Sequence, residues 1–223
     1  MLGMRDVPLK AGEKIEPLDD GYGIIQSAEL YRFGTDAVAL AKFAAARITR
    51  ENRVLDLCSG CGVVGILIAV ATGARVDGAE LDGALCDMSV RSCALNGLDG
   101  VRFYNADVRD LTLADVGGVG YDAVVCNPPF YKRGTAPRKI APAASCELTV
   151  EFGDIVRAAK RMLTQRGEFY FVHTAARLDE TLCVCGENGL TPKTLVMNAN
   201  AKTFLLRCVR GGKLGMDVSV KEF

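Results

Sequence analysis

The chain has 223 residues, 49% of them hydrophobic and 24% charged, so it is long and apolar enough to fold around one substantial core. Its 27 acidic and 27 basic residues cancel, which excludes a strong overall attraction to nucleic acid and leaves any such partner to a local basic patch. The sequence contains no apolar run of the roughly 18 residues that a membrane span needs, and its N-terminus does not resemble a secretory signal. We therefore expect a cytoplasmic protein without a membrane anchor.

The nine cysteines mostly sit inside apolar runs, and their number is odd. This pattern favours reduced thiols over a disulfide framework. Two spacings, Cys58-x-x-Cys61 and Cys183-x-Cys185, raise the question of zinc or redox chemistry. A structural zinc needs two matching pairs, and the only histidine, His173, has no evident partner. We expect no metal, and we interpret His173 as a hydrogen-bonded structural residue of a strand.

Strand and helix patterns alternate after a polar, glycine-rich lead over residues 1–23. One of the predicted helices ends at Leu95, because Asn96-Gly97 follows it as a typical C-terminal stop. In chain order the first half predicts the strand Arg53–Leu57, the helix Val63–Ala71, the strand Arg75–Glu80, the helix Leu85–Leu95 and the strand Val101–Asn105.

The second half continues the alternation and closes with two strands. It predicts the strand Tyr121–Cys126, the helix Thr149–Leu163, the strand Glu168–His173, the helix Leu178–Asn188, and the strands Thr191–Met197 and Phe204–Arg210. Strands separated by helices indicate an α/β fold, a mostly parallel sheet with helices on both faces. Ligands of such sheets bind at the carboxyl ends of the strands, so candidate site residues are sought there.

A glycine-rich loop follows the first of these strands. Residues 56–65 read DLCSGCGVVG, which contains the G-x-G-x-x-G spacing of dinucleotide sites. The spacing alone is weak, but glycines let the backbone turn sharply and let a ligand approach closely. Asp56 lies four residues before Gly60, where its carboxylate would repel a pyrophosphate yet suit the α-amino group of a methionine moiety. This placement disfavours a nicotinamide dehydrogenase.

Acidic residues also end the next two strands. Glu80 closes the second, where a carboxylate can accept both hydroxyls of a ribose, and Asp107 follows the third, where it could meet an adenine amino group. Any one of these carboxylates could simply be solvated. Three of them at consecutive strand ends after a glycine loop indicate a cofactor that contains a nucleoside.

The segment Asn127-Pro-Pro-Phe130 directly follows the fourth strand. Each proline fixes its own φ and restricts the residue before it, so this turn is stiff. The side-chain oxygen of Asn127 and the carbonyl oxygen of Pro128 could both accept hydrogen bonds from one –NH2 group and aim its lone pair at a methyl donor. Phe130 would stack on a planar substrate. The alternative is a Pro-Pro turn that only ends a strand, with Phe130 as core.

Together the two segments resemble class I methyltransferases that methylate amino groups and carry an Asn-Pro-Pro-aromatic motif. The resemblance implies a Rossmann-like, seven-stranded sheet with its last strand reversed, and S-adenosyl-L-methionine as the cofactor. It implies that the cofactor is surrounded by Asp56, Ser59, Gly60, Gly62, Glu80 and Asp107. It also implies that the target amine is held by Asn127, Pro128 and Phe130.

A narrower resemblance rests on residues 31–43, YRFGTDAVALAKF. This segment is similar to the one that precedes the first strand in bacterial tRNA(Val) adenine-N6 methyltransferases, which modify the adenosine at position 37, beside the anticodon. The resemblance implies an N-terminal extension, residues 1–52, whose helix covers the cofactor held by the methyltransferase domain, residues 53–223. Thr35 and Asp36 then become candidate cofactor contacts. A capped helix would also explain Asp36.

The loop after the motif carries a local basic patch. Lys132, Arg133, Arg138 and Lys139 are accompanied by a single acid, Glu147, between residues 131 and 148. These side chains could bind the phosphates of a tRNA anticodon loop, whose unpaired adenine is cheap to expose, or they could merely be solvated. The related family has an Arg-His-Glu run here, of which this chain keeps only the glutamate.

Four other functions remain open. A glutamine amide of a protein or the N2 of a guanine in ribosomal RNA could be methylated with the same pair of acceptors. The chain could also be a sensor that binds the cofactor without turnover, although a sensor has no use for an amine clamp. The fourth function is that of a nicotinamide dehydrogenase. It is also disfavoured because the sequence offers no plausible hydride-transfer acid near the sheet. The sequence does not predict an oligomeric state.

Overall fold

The computed structural model describes residues 4–18, 21–30, 32–132, 146–147 and 150–223. Its strands are β1 Glu13–Pro17, β2 Gly23–Ser27, β3 Arg53–Leu57, β4 Arg75–Glu80, β5 Val101–Asn105, β6 Tyr121–Cys126, β7 Tyr131–Lys132, β8 Cys146–Glu147, β9 Leu163–Thr174, β10 Leu190–Asn198, β11 Thr203–Arg210 and β12 Asp217–Lys221. Its α-helices are α1 Thr35–Ala45, α2 Val63–Thr72, α3 Gly83–Asn96, α4 Phe152–Met162 and α5 Leu178–Glu187. Short 3-10 helices cover Leu113–Val116 and Ala175–Arg177.

The main sheet runs in the order β12-β10-β11-β9-β6-β3-β4-β5. Strands β3, β4, β5, β6 and β9 are mutually parallel, while β11 is antiparallel to β9 and to β10. The predicted α/β fold with a mostly parallel sheet and a reversed closing strand is therefore confirmed. Helices lie on both faces, since α1, α2 and α3 share one buried cluster with the sheet and α4 and α5 share the other.

The predicted number of seven strands is wrong, because β12 adds an eighth beside β10. This strand pairs along one edge only, and its apolar side chains face solvent: Val218 is 62% exposed and Val220 is 67% exposed. A five-residue edge strand without a buried face has no hydrophobic run to reveal it.

The strands at the centre of the sheet match their predicted bounds because they are buried on both faces. Val54 points into the cluster with α1 and α2, whereas Leu55 and Leu57 point into the cluster with α4. Strand β9 is longer than predicted, since it begins at Leu163. Its pairing with β6 shifts after Tyr121.

The first part of the chain packs on α3 and α2. The hairpin of β1 and β2 docks on α3 through reciprocal bonds: Gly23 N donates to Asn96 Oδ1 (2.9 Å), and Asn96 Nδ2 donates to Gly23 O (2.7 Å). Arg91 of α3 also donates to the carboxylate of Glu13 (2.6 Å). Helix α1 packs beside α2. The division into residues 1–52 and 53–223 remains a prediction.

None of the helices in the described part of the chain is long and apolar enough to cross a lipid bilayer.

Candidate active site

Four loops meet at one edge of the sheet because their strands are parallel and in register. Leu57 of β3 pairs with Ala79 of β4 on one side and with Cys126 of β6 on the other, and Glu80 pairs with Asn105. The loops that follow β3, β4, β5 and β6 therefore begin side by side. The glycine-rich loop and the Asn-Pro-Pro-Phe segment are immediate neighbours at this edge.

The glycine-rich loop is held in a shape that demands its glycines. Gly60 and Gly62 have φ of 56° and 80°, in the left-handed region. A Cβ on Gly62 would lie 2.7 Å from the ring of Phe103 and 2.9 Å from Ser89 Cβ. Ser89 Oγ donates to Gly60 O (2.9 Å), which ties the loop to α3. Nothing in the spacing of the motif had indicated Ser89.

Asp56 is buried below this loop with one oxygen unpaired. Its Oδ2 accepts from Gly65 N (2.9 Å), but neither Oδ1 nor the buried Oγ of Ser59 has a partner among the described residues. Burial raises the pKa of the Asp56 carboxyl to about 7. A buried carboxylate oxygen without a partner fits a cationic ligand group such as an ammonium, because a partner offsets the cost of the buried charge.

Glu80 stands at the end of β4 and holds the loop. Its Oε2 accepts from Gly60 N (2.8 Å), and its Oε1 accepts from Asp82 N (2.9 Å). Desolvation raises the pKa of this carboxyl. Each oxygen can accept a further hydrogen bond, so the residue fits a pair of ribose hydroxyls.

Asp107 follows the end of β5, the strand next to β4. The bond from Ala106 N to Glu80 O (2.9 Å) keeps the chain after β5 beside the end of β4. Oδ1 and Oδ2 of Asp107 both accept from the Arg109 guanidinium, and this hydrogen bonding lowers the pKa of Asp107. The sequence did not indicate Arg109. A contact between Asp107 and an adenine remains a prediction.

Thr35 and Asp36 open α1 at a different part of the same edge. Asp36 Oδ1 accepts from Thr203 Oγ1 (3.3 Å) at the start of β11, and burial raises the pKa of its carboxyl. Strand β11 lies beyond β9 and β6 from the glycine-rich loop. A cofactor contact by Thr35 or Asp36 remains a prediction.

The Asn-Pro-Pro-Phe segment leaves the end of β6 between β3 and β9. Pro128 is buried, while Asn127 and Phe130 are partly exposed. The Phe130 ring stacks on the imidazole of His173 with centroids 5.4 Å apart and planes 27° apart. The backbone carbonyl oxygen of Phe130 accepts from Arg177 Nη1 (3.4 Å).

The cysteines of the Cys58-x-x-Cys61 spacing do not act as a pair. Cys58 has a left-handed φ of 54° and shares a hydrogen bond with Cys126, and this bond together with burial raises the pKa of Cys126. Cys61 is buried, which raises the pKa of its thiol to about 12. Within the described residues no group of three or more His, Cys, Asp or Glu side chains could hold a metal.

The expected basic patch falls largely outside the described residues. The backbone of Lys132 forms β7, which pairs with β8. The side chain of Lys132 and all of Arg133, Arg138 and Lys139 lie outside the described residues. Their role as phosphate contacts remains a prediction.

A separate polar cavity of about 280 Å³ lies at the opposite edge of the sheet, beside the first residues of β6. Glu168 of this cavity accepts from Arg47 (3.3 Å) and is also paired with Arg207. These groups satisfy one another, so the cavity is not the candidate site.

Comparison with known proteins places the chain among methyltransferases. A family model described as "Methyltransferase small domain" matches residues 33–182. Proteins named tRNA1(Val) (adenine(37)-N6)-methyltransferase are similar: that of Aeromonas hydrophila is 28% identical over 81% of this chain and 77% of its own length. That of Dickeya chrysanthemi is 29% identical over 69% of this chain and only 60% of its own length.

Solved structures share the fold at lower identity. A predicted O-methyltransferase from Agrobacterium tumefaciens superposes with a TM-score of 0.60 at 20% identity, covering 84% of this chain and 85% of its own. The P. horikoshii protein TYW2 in complex with MeSAdo gives a TM-score of 0.64 at 16% identity, covering 91% and 73%. These likenesses bear on the fold alone.

Proposed function

The chain belongs to the methyltransferase small domain family, and on this premise we propose that it transfers a methyl group from S-adenosyl-L-methionine to the exocyclic N6 of an unpaired adenine in RNA. The proposed acceptor is adenosine 37 in the anticodon loop of tRNA(Val), the base in the names of the similar proteins. We expect the enzyme to act in the cytoplasm, where tRNA is available.

One observation carries the proposal: the glycine-rich loop and the amine-binding motif begin at paired residues. Leu57 and Cys126 are register partners, so the segments that start at Cys58 and Asn127 lie side by side. A cofactor bound over the first segment and an amine bound by the second would meet at the tips of β3 and β6. Such proximity supplies much of the acceleration when the donor is already activated.

The residues around the glycine-rich loop fit the proposed cofactor. Asp56 Oδ1 and Ser59 Oγ, which have no partner among the residues that the structure describes, suit the ammonium end of its methionine part. Glu80 suits the ribose, and Asp107 suits the adenine amino group. Gly60 and Gly62 leave the backbone open to close approach. When bound, the cofactor supplies a methyl group activated by its sulfonium.

The motif residues position the amine rather than deprotonate it. Asn127 Oδ1 and Pro128 O accept the two N6 hydrogens, which draws the nitrogen toward pyramidal geometry and directs its lone pair at the methyl group. With the cofactor bound, its sulfonium would supply the methyl group, and the proton that N6 loses on methylation would pass to solvent. Phe130 stacks on the base, an interaction worth about 1–3 kcal/mol.

The test is incubation of the protein with labelled S-adenosyl-L-methionine and separate pools of tRNA, ribosomal RNA and release factors, followed by measurement of the modified nucleosides and amino acids. N6-methyladenosine in tRNA supports the proposal. N2-methylguanosine or methylglutamine would replace it with one of the alternatives, and binding without turnover would indicate a sensor.

The matched variants are Asn127→Ala and Asn52→Ala. The first should retain cofactor affinity and reduce turnover about a hundredfold, because misplacing the amine removes the alignment on which the rate depends. The second removes an asparagine that accepts from Thr49 N (2.8 Å) before the start of β3, at the opposite edge of the sheet, and should keep full activity. Full activity of Asn127→Ala would contradict the proposal that Asn127 holds the target amine.

A further inference from the structure

His173 lies beside the amine-binding motif, inside a cluster of aromatic rings. It follows Phe171 by two residues on β9, and Phe171 is the register partner of Cys126, so His173 is level with the start of the motif. The residue is 0% exposed. Its imidazole stacks on Phe130 at 5.4 Å, and the Phe204 ring lies 6.4 Å away with planes 18° apart.

The imidazole is held in one orientation. Phe152 meets it edge-on at 5.4 Å with an interplanar angle of 86°. Its Nδ1 accepts from Thr174 N (2.8 Å). Burial, reinforced by the positive charge of Arg177, lowers the pKa of His173 to about 3, so the ring is neutral and carries its one proton on Nε2.

The polar atoms of the imidazole do not explain its place beside Phe130. Its Nε2 is buried and has no hydrogen-bond partner among the described residues. A buried donor without a partner costs free energy that a phenyl ring in the same slot would avoid. What His173 does supply is a rigid flat surface against one face of Phe130.

Phe130 is also held from its backbone. Arg177 Nη1 donates to its carbonyl oxygen (3.4 Å), while Nη2 and Nε of Arg177 donate to Glu180 at 2.8 and 3.1 Å. The ring face and the carbonyl are thus fixed by two different residues, both from the segment at the end of β9. Both contacts come from residues outside the motif.

We infer that His173 is a positioning residue, whose flat ring sets the plane of Phe130 and so the plane of the base that stacks on it. The inference rests on the proposed function, in which Phe130 binds a planar substrate. It gives a role to a residue that the sequence had indicated as purely structural.

The test compares His173→Phe with His173→Leu. Both variants are apolar and remove a donor that has no partner in the described part of the chain, so both should keep or raise Tm, but only phenylalanine keeps a flat ring. We expect His173→Phe to retain kcat/KM for tRNA within about twofold, and His173→Leu to reduce it about tenfold, mainly through KM for tRNA. Cofactor Kd should be unchanged in both. Equal activity of the two variants, high or low, would overturn the inference.

A double-mutant cycle checks that the effect passes through Phe130. In a Phe130→Leu background, replacement of His173 by leucine should have no further effect on KM, because the ring it positions is gone. Additive effects would overturn the inference. A wild-type protein that methylates no adenine would overturn the proposed function and this role with it, whereas an active wild type with equal His173 variants would overturn only the role.

Discussion

Asp56 is the residue at which folding and ligand binding conflict most clearly. Its carboxyl group is buried, one oxygen is satisfied by Gly65 N, and the other has no partner in the described part of the chain. Burial without a counter-charge favours the protonated form, which explains why the pKa rises to about 7. A cationic group on the bound cofactor would reverse this preference.

Cofactor affinity should therefore depend on pH through Asp56. Below about pH 7 the carboxyl must lose a proton before it can pair with an ammonium, so we expect Kd to rise by up to about tenfold for each pH unit below 7 and to level off above it. Calorimetric titration with S-adenosylhomocysteine between about pH 5.5 and 8.5 measures this dependence. In Asp56→Asn the affinity should be lower and its dependence on pH weaker, with Glu80 as the remaining carboxyl of raised pKa; an unchanged pH profile would show that Asp56 does not contact the cofactor.

The stability of the cofactor-free protein should depend on pH in the direction opposite to cofactor affinity: it should fall as pH rises. The pKa of Asp56 is raised in the folded state, so the folded state binds more protons than the unfolded state between about pH 4 and 7, and this residue's contribution to stability is lost as pH rises through that window. The shift from 3.8 to about 7 corresponds to about 4 kcal/mol. Asp56→Asn should accordingly unfold at higher denaturant concentration than wild type at pH 8.

Helix α2 connects the glycine-rich loop to the core, and a glycine with positive φ stands at each end of it. Gly62 (φ 80°) precedes its first residue and Gly73 (φ 71°) follows its last. The two positions share a backbone conformation but not a packing environment. A Cβ on Gly62 would press on Phe103 at 2.7 Å, whereas a Cβ on Gly73 would meet only Arg50 at 3.5 Å.

We expect Gly73→Ala to cost about 1 kcal/mol of unfolding free energy, the penalty of left-handed φ for a residue with a Cβ. Gly62→Ala should cost about 2–4 kcal/mol, because overpacking against Phe103 adds to the same penalty, and it should weaken cofactor binding. Urea unfolding of the two variants gives the difference. Equal destabilisation would mean that the loop moves away from Phe103 without cost.

The elements that the sequence predicted share one property: their own residues carry the signal. Strands β3 to β6 each carry β-type residues and are separated by helix-length segments, and the Asn127 motif is a contiguous segment. Strand β12 and the β1–β2 hairpin were not predicted, since they are short and depend on pairing with a neighbour. The contacts of Ser89 with Gly60 and of Arg177 with Phe130 were not predicted either, because they join residues 29 and 47 positions apart and depend on the fold.

For the whole molecule, the balance of 27 acidic and 27 basic residues means that the net charge gives no long-range attraction to RNA. Affinity for a tRNA must then come from a few local contacts. The slope of log Kd against log salt should be proportional to the number of phosphates that these contacts neutralise. The candidates are Lys132, Arg133, Arg138 and Lys139 in the loop after the motif.

The double variant Lys132→Gln/Lys139→Gln should bind tRNA more weakly and reduce the slope of log Kd against log salt by about 1.4, since each single-strand phosphate that a lysine neutralises contributes about 0.7 to that slope. Its matched control is Lys213→Gln/Lys221→Gln, which removes two exposed lysines at and beside β12, the far edge of the sheet. The control should keep the wild-type slope, because its charges lie four strands from β6. Cofactor Kd should stay constant in both, which separates weaker RNA binding from damage to the fold. If both double variants shift the slope equally, the RNA responds to total charge and the loop is not its binding surface.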